Sequence, residues 1–399
     1  MKIKSLVLLI VFAANAVFMS YKLSAQTPYQ KDFQEFWTDI NQHYAYLDQQ
    51  KIDWSKVKEI YTPLVNQVSD KAGYIRLMEG VLNELHNGHV SLSTNLPGSN
   101  RLVPSGLDLR VEQLGNKYLI TDLRKGFGAD LCGLKIGMEV TAFNDKPIDK
   151  QLKQFLPSYT AQWDSNMYQY ALDMLFAGTH DTLRAITVKD SGRLKTFHPL
   201  NYGNSPELLF SKKINKNTGY IRINNSLGNN DLIAAFDSAL DSLLLLKSLV
   251  IDLTETPGGG NSTVARAIMG RFITTSLPYQ VHEFDEKAYQ TKRHWVEYVT
   301  PRKKVFSGKV YVLVSRWTGS MGEGIAIGFD GMKRADIIGT PMAGLLGAVS
   351  GFRMTETGIG FQLPTERLYH VNGTPRENFV PGTLTRNMEE TILKAKQVR

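Results

Sequence analysis

The chain has 399 residues, 42% of them hydrophobic and 21% charged, with a formal net charge of +8. That is enough apolar material for two or three domains with packed cores, and it excludes a globally disordered chain. Cys132 is the only cysteine, so no internal disulfide can form.

The first 25 residues read as a secretory leader: Lys2 and Lys4, an apolar run from Ser5 to Met19, then Ser24-Ala25 as a small-residue ending. Cleavage is expected after Ala25, with Ala16 as an alternative. Tyr21-Lys22 behind the run keeps an uncleaved anchor open as the only membrane contact. Either way the body is exported, to the periplasm or the exterior. Three of the eight net positive charges, on Lys2, Lys4 and Lys22, leave with the leader. The remaining basic clusters, Lys292-Arg293-His294 and Arg302-Lys303-Lys304, lack interleaved aromatic platforms and read as solvated loop, so no nucleic-acid partner is expected.

Residues 26–95 form an N-terminal helical region. Phe33, Phe36, Trp37 and Ile40, then Val57, Ile60, Tyr61 and Leu64, then Ile75, Leu77, Met78, Val81 and Leu82 recur at helical spacing. Asp53 suits the N-cap of the second helix. The period changes after His86-Asn87-Gly88-His89, where Val90-Ser91-Leu92-Ser93 alternates as a strand.

Residues 96–200 read as short strands and turns with a helical insertion. Cys132-Gly133-Leu134-Lys135, Gly137 and Asn144-Asp145-Lys146-Pro147 follow one another in an order that resembles a PDZ domain. The resemblance implies that Gly106, Leu107, Asp108 and Leu109 form its carboxylate-binding loop, gripping peptide C-termini by β-augmentation. A β-rich scaffold whose groove binds nothing is the other reading.

Residues 201–399 alternate strands and helices, which points to an α/β core with a largely parallel sheet. Gly219-Tyr220-Ile221-Arg222-Ile223 opens it, and a helix follows near Asn229-Asn230. The run Leu249 to Leu253 leads into a turn at Pro257-Gly258-Gly259-Gly260, with a helix expected from about Asn261 to Phe272. The run Val310 to Val314 leads to Thr318-Gly319-Ser320, where another helix begins.

Two strand-to-helix turns in one α/β core converge at the carboxyl ends of their strands. Ser320 there can act as a nucleophile, with backbone N–H groups of Gly258, Gly259 and Met321 as an oxyanion hole. Ser320-Met321-Gly322-Glu323 also fits a capping box, a role that does not exclude the first. The glycine turn lacks the lysine and hydroxyl of a phosphate-binding loop. No third ligand accompanies His86 and His89, so neither metal nor cofactor is expected.

In order, Gly219 to Ile223, Ile251-Asp252-Leu253 before Pro257-Gly258-Gly259, Ser320-Met321-Gly322-Glu323, Gly339-Thr340-Pro341-Met342-Ala343-Gly344, and Glu377-Asn378-Phe379-Val380-Pro381 resemble the serine peptidase family of the C-terminal processing proteases, the tricorn core and interphotoreceptor retinoid-binding protein. The resemblance implies an α/β fold with a ClpP/crotonase-like core, an N-terminal helical cap and a PDZ-like β-rich domain. It also implies Ser320 as nucleophile. Processing proteases use a lysine base just after Gly344, where this chain has Leu345-Leu346, and an aliphatic side chain cannot take a proton. The tricorn-like branch uses a histidine from the end of the N-terminal region, which His89 matches, and a late glutamate, which Glu377 matches.

The expected activity is therefore that of an exported serine endopeptidase acting on peptides or partly unfolded proteins, with Ser320, His89 and Glu377 as its catalytic set. Gly88 replaces the serine that precedes the tricorn histidine, Thr254 and Thr256 replace an arginine and an asparagine, and Gly382 replaces an aspartate. These departures motivate an alternative, a catalytically inactive relative that binds peptide C-termini or a small apolar ligand. A crotonase-like acyl-thioester enzyme is a third reading, opposed by the leader and the PDZ-like segment.

Overall fold

The computed structural model of this chain describes residues 26–190, 192–201 and 205–397. The leader expected at 1–25 lies outside them. Ten helices and seventeen strands stand among the described residues, and three sheets organise them.

The core is a six-stranded sheet in the order Thr383–Leu384, Asp336–Gly339, Lys309–Val314, Ser248–Asp252, Thr218–Ile223, Leu209–Lys213. All its neighbours run parallel except the last pair. Continuous apolar strands follow from burial of both faces. On one face Leu249, Ile251, Val310 and Val312 pack with Phe236, Ile268 and Ile325 of the helices Asp231–Leu243, Ser262–Met269 and Met321–Gly331. On the other, Val250, Tyr311, Leu313 and Ile338 meet Ala395 of the final helix, Met388–Gln397.

The helices Pro28–His43, Trp54–Val65 and Lys71–Asn83 are N-capped by Thr27, Asp53 and Asp70. Each capping side chain accepts a first-turn N–H, which satisfies a donor the helix itself leaves free. Their apolar faces do not close on one another alone. Phe36, Ile40, Val57 and Met78 share a core with Met354, Phe361 and Leu363. Phe361 and Leu363 belong to a five-stranded antiparallel sheet made of Ser91–Leu92, Gly360–Tyr369, Leu277–Glu286, Thr291–Val299 and Ala348–Arg353, and Met354 directly follows the last of these strands. The first and last thirds of the chain are thereby joined just where His89 enters the strand Ser91–Leu92. The basic cluster Lys292-Arg293-His294 lies in the strand Thr291–Val299 rather than a loop, because its alternate residues Trp295 and Glu297 pair with His282 and Gln280 across the hairpin.

The β-rich segment is an antiparallel sheet in the order Leu109–Leu114, Lys117–Leu123, Glu139–Phe143, Ile186–Asp190, Arg193–Phe197. Helix Ser165–Ala177 covers its first strand, and the two share Val111, Ala171, Leu172 and Leu175 in one core. Trp317, fully buried, donates its indole N–H to the carbonyl of Leu107 at 2.7 Å. That bond ties the β-rich segment to the core three residues ahead of Ser320.

Candidate active site

Ser320 ends the turn after the strand Lys309–Val314 and holds φ 52°, ψ −114°. Few non-glycine residues adopt such a backbone, so the surroundings must hold it there. Thr318 Oγ1 donates to Leu253 O, Gly319 N–H donates to Thr256 O, and Ser315 Oγ donates to Thr254 O. Thr254 and Thr256 thus pin the serine turn to the neighbouring strand. Glu323 accepts the Ser320 N–H at 2.8 Å, which is half of the capping box. The Ser320 hydroxyl faces His89.

His89 Nε2 stands 3.0 Å from Ser320 Oγ, and His89 Nδ1 stands 2.8 Å from the carbonyl oxygen of Leu346. A carbonyl only accepts, so Nδ1 carries the proton and Nε2 presents a lone pair to the hydroxyl. This is the tautomer a general base requires. The ring is nearly enclosed, 7% exposed. Burial, aided by the nearby Arg376 charge, pushes its pKa down to about 4. The ring is therefore neutral at physiological pH. Its backbone is set by Asn87, whose Oδ1 accepts the His89 N–H while its Nδ2 donates to Tyr44 OH.

Gly88 precedes the histidine because nothing larger fits. A Cβ there would lie 2.7 Å from the Val103 carbonyl oxygen and 3.2 Å from Leu345 Cδ2. Leu345, in place of a lysine base, wedges between the backbones of Gly88 and Gly319. His86 stands apart from the Ser320–His89 pair, its Nδ1 facing the carbonyl of Glu84 at 3.2 Å, and lines the adjoining cavity.

Gly259 lies directly over the nucleophile. Its φ is +64°, and a Cβ there would fall 2.3 Å from Ser320 Cβ and 3.3 Å from Met321 N. Gly259 and Met321 therefore flank the serine. Gly258 corrects the expected donor set: its N–H is committed to Asn225 Oδ1 at 2.6 Å, which fixes the turn but leaves that amide unavailable to an oxyanion.

Glu377 also departs from expectation. The position beside His89 Nδ1 is filled by backbone, and Glu377 lines the adjoining cavity of about 600 Å³ with Tyr46, Gln49 and Leu346. Burial raises its carboxyl pKa. The cavity extends from the serine turn at Trp317 and Gly344 to Arg110 and Gln169 of the β-rich segment, so it is bounded by all three parts of the chain.

The loop expected to hold a carboxylate is closed. Gly106 N–H donates to Leu102 O, Leu107 N–H to Pro104 O, and both Asp108 oxygens are held by Arg184 at 2.6 and 2.8 Å. Leu107 and Leu109 are buried in the core of the β-rich segment. The Gly106 and Leu107 amides and the Asp108 carboxylate are thus engaged within the fold.

Sequence reasoning did not find the Leu346 carbonyl, Asn225 or Arg376, none of which carries a motif. Glu323 was visible, but only as a capping partner.

Residues 217–381 match peptidase family S41, and residues 26–83 match the tricorn protease C1 domain. Among solved structures, the photosystem II D1 C-terminal processing protease is similar at 16% identity and a TM-score of 0.57, over 90% of this chain and 94% of that one. Mature CPAF is similar at 12% identity and a TM-score of 0.63, over 93% of this chain and 96% of that one. At these identities the likeness speaks to the fold. No curated protein matches the chain.

Proposed function

We propose that this chain, whose residues 217–381 match peptidase family S41, hydrolyses peptides or partly unfolded proteins through an acyl-enzyme on Ser320, with His89 as general base. The observation that carries the reading is the 3.0 Å approach of His89 Nε2 to Ser320 Oγ. The fixed tautomer makes that approach productive.

In the first step Nε2 takes the hydroxyl proton as Oγ bonds to the scissile carbonyl carbon. The Gly259 and Met321 N–H groups receive the developing oxyanion at the positive end of helix Met321–Gly331. The imidazolium then returns the proton to the departing amine as the C–N bond breaks. Water, deprotonated by the same nitrogen, hydrolyses the ester and restores the serine. The large cleft between three parts of the chain suits an extended segment, which supports an endopeptidase. The leader-like sequence of residues 1–25 supports a place in the periplasm or outside the cell.

Labelling of the mature protein with a fluorophosphonate probe tests this. The wild type should label, Ser320→Ala should not, and His89→Ala should label far more slowly. A folded wild type that resists the probe would favour the inactive, ligand-binding alternative.

A further inference from the structure

The catalytic pair sits inside a closed circuit of hydrogen bonds. Glu323, wholly buried, accepts the N–H of Ser320 at 2.8 Å with one oxygen and the N–H of Gly344 at 2.9 Å with the other. Two residues beyond Gly344, the Leu346 carbonyl holds His89 Nδ1, and His89 returns to Ser320. Arg376, 2% exposed, donates through Nη2 to the carbonyls on either side of Leu346, those of Leu345 at 2.8 Å and Gly347 at 3.0 Å. The same nitrogen lies 3.9 Å from Glu323 Oε2.

A buried carboxylate and guanidinium are costly unless every polar atom is used. Here both Glu323 oxygens and Arg376 Nη2 engage backbone groups of the segment 344–347 and the nucleophile's own N–H, while Arg376 Nε has no partner among the described residues. Arg376 fixes which way the peptide units around Leu346 face, and Glu323 fixes how far the segment lies from Ser320.

We propose that Glu323 and Arg376 are positioning residues that clamp the segment 344–347, so that the Leu346 carbonyl fixes His89 as the Nδ1–H tautomer facing Ser320. The catalytic part of this inference rests on the reading of Ser320 and His89 given above; the geometric part does not. The charge that acts on the ring is Arg376, and those that act on Glu323 are Arg376 and Glu377. Burial pushes Glu323 up to about 7, opposed by Arg376 and by its two backbone donors.

The test combines nitrogen-detected NMR of the His89 ring with kinetics, in the full mature chain. In the wild type the ring should be neutral at pH 6 with its proton on Nδ1. Arg376→Gln removes a positive charge beside the ring, so the His89 pKa should rise, the tautomer should become mixed, and kcat should fall about 10²-fold, the scale of a misplaced reacting group. Arg376→Lys keeps the charge but does not carry its donor to the position of Nη2 between the two carbonyls, so the low pKa should persist while kcat still falls. Glu323→Gln retains shape and should lower kcat with little change in KM if one backbone N–H is lost.

Wild-type tautomer, pKa and kcat in folded Arg376→Gln, or in folded Arg376→Lys and Glu323→Gln should the first not fold, would overturn the proposal. A ring that shifts as stated in a protein that no fluorophosphonate labels would sustain the clamp while removing the peptidase reading.

Discussion

His89 gives its Nδ1 proton to the Leu346 carbonyl at 2.8 Å, so the base is oriented by a peptide group rather than by a carboxylate. A carbonyl fixes the tautomer as a carboxylate would but offers the imidazolium less charge stabilisation. It follows that Glu377, which lines the cavity instead, contributes little to the proton relay. Glu377→Gln should keep kcat within about tenfold, against the roughly 10⁴-fold loss seen when a triad carboxylate is amidated. Steady-state kinetics on a peptide substrate decide it. A loss near 10⁴-fold would mean that Glu377 reaches the ring during turnover.

The pH dependence follows from burial. Neutral His89 is the active form, and its pKa is lowered from 6.5 to about 4, first by burial and then by Arg376. The acid limb of kcat/KM should therefore fall toward pH 4, with activity at pH 6 close to that at pH 7. Stability carries the same sign for this group: its contribution is complete above pH 6.5 and is lost as pH falls toward 4. Glu323 runs the other way, contributing below pH 4.5 and losing that contribution as pH rises through about 7. An acid limb near 6.5 would show that the ring is solvated in the working enzyme.

The strand-to-helix turns at Gly258-Gly259 and Ser320 were legible because apolar runs and glycines announce them locally. The core sheet followed, as did the Asp53 cap. What stayed hidden depends on contacts far apart in sequence. Nothing near Phe36 says that its ring packs on Phe361, at 4.7 Å between centroids. Nor does Leu346 advertise a carbonyl aimed at a histidine 257 residues away. The Gly106–Leu109 loop misled for a related reason: its motif specifies a turn, while the use of its N–H groups depends on Leu102, Pro104 and Arg184.

Gly88 was a departure from the tricorn pattern, and the structure gives it a cause. Gly88→Ser would place a Cβ against the Val103 carbonyl, a backbone atom that cannot swing aside. Stability should fall by about 1–3 kcal/mol, the usual cost of overpacking, and the labelling rate at Ser320 should fall with it. Adding Leu345→Ala relieves the flexible contact but not the carbonyl, so the double variant should remain destabilised. Thermal melts of both variants provide the measurement, and a Tm equal to the wild type's would remove the steric account.

The closed carboxylate loop makes a prediction about substrate tails. With the Gly106 and Leu107 amides engaged inside the fold, a peptide's terminal carboxylate loses two of the donors it would meet there. One acceptor of strand Leu109–Leu114 is occupied too, since Gln169 Nε2 donates to the Val111 carbonyl at 3.0 Å. Strand addition needs that carbonyl. Calorimetry on Ser320→Ala should give the same affinity, within about twofold, for a peptide acid and its C-terminal amide, since a charged hydrogen bond would be worth far more. Gln169→Ala frees that carbonyl and should strengthen binding of both forms alike. A marked preference for the acid would show that the loop opens to take a C-terminus after all.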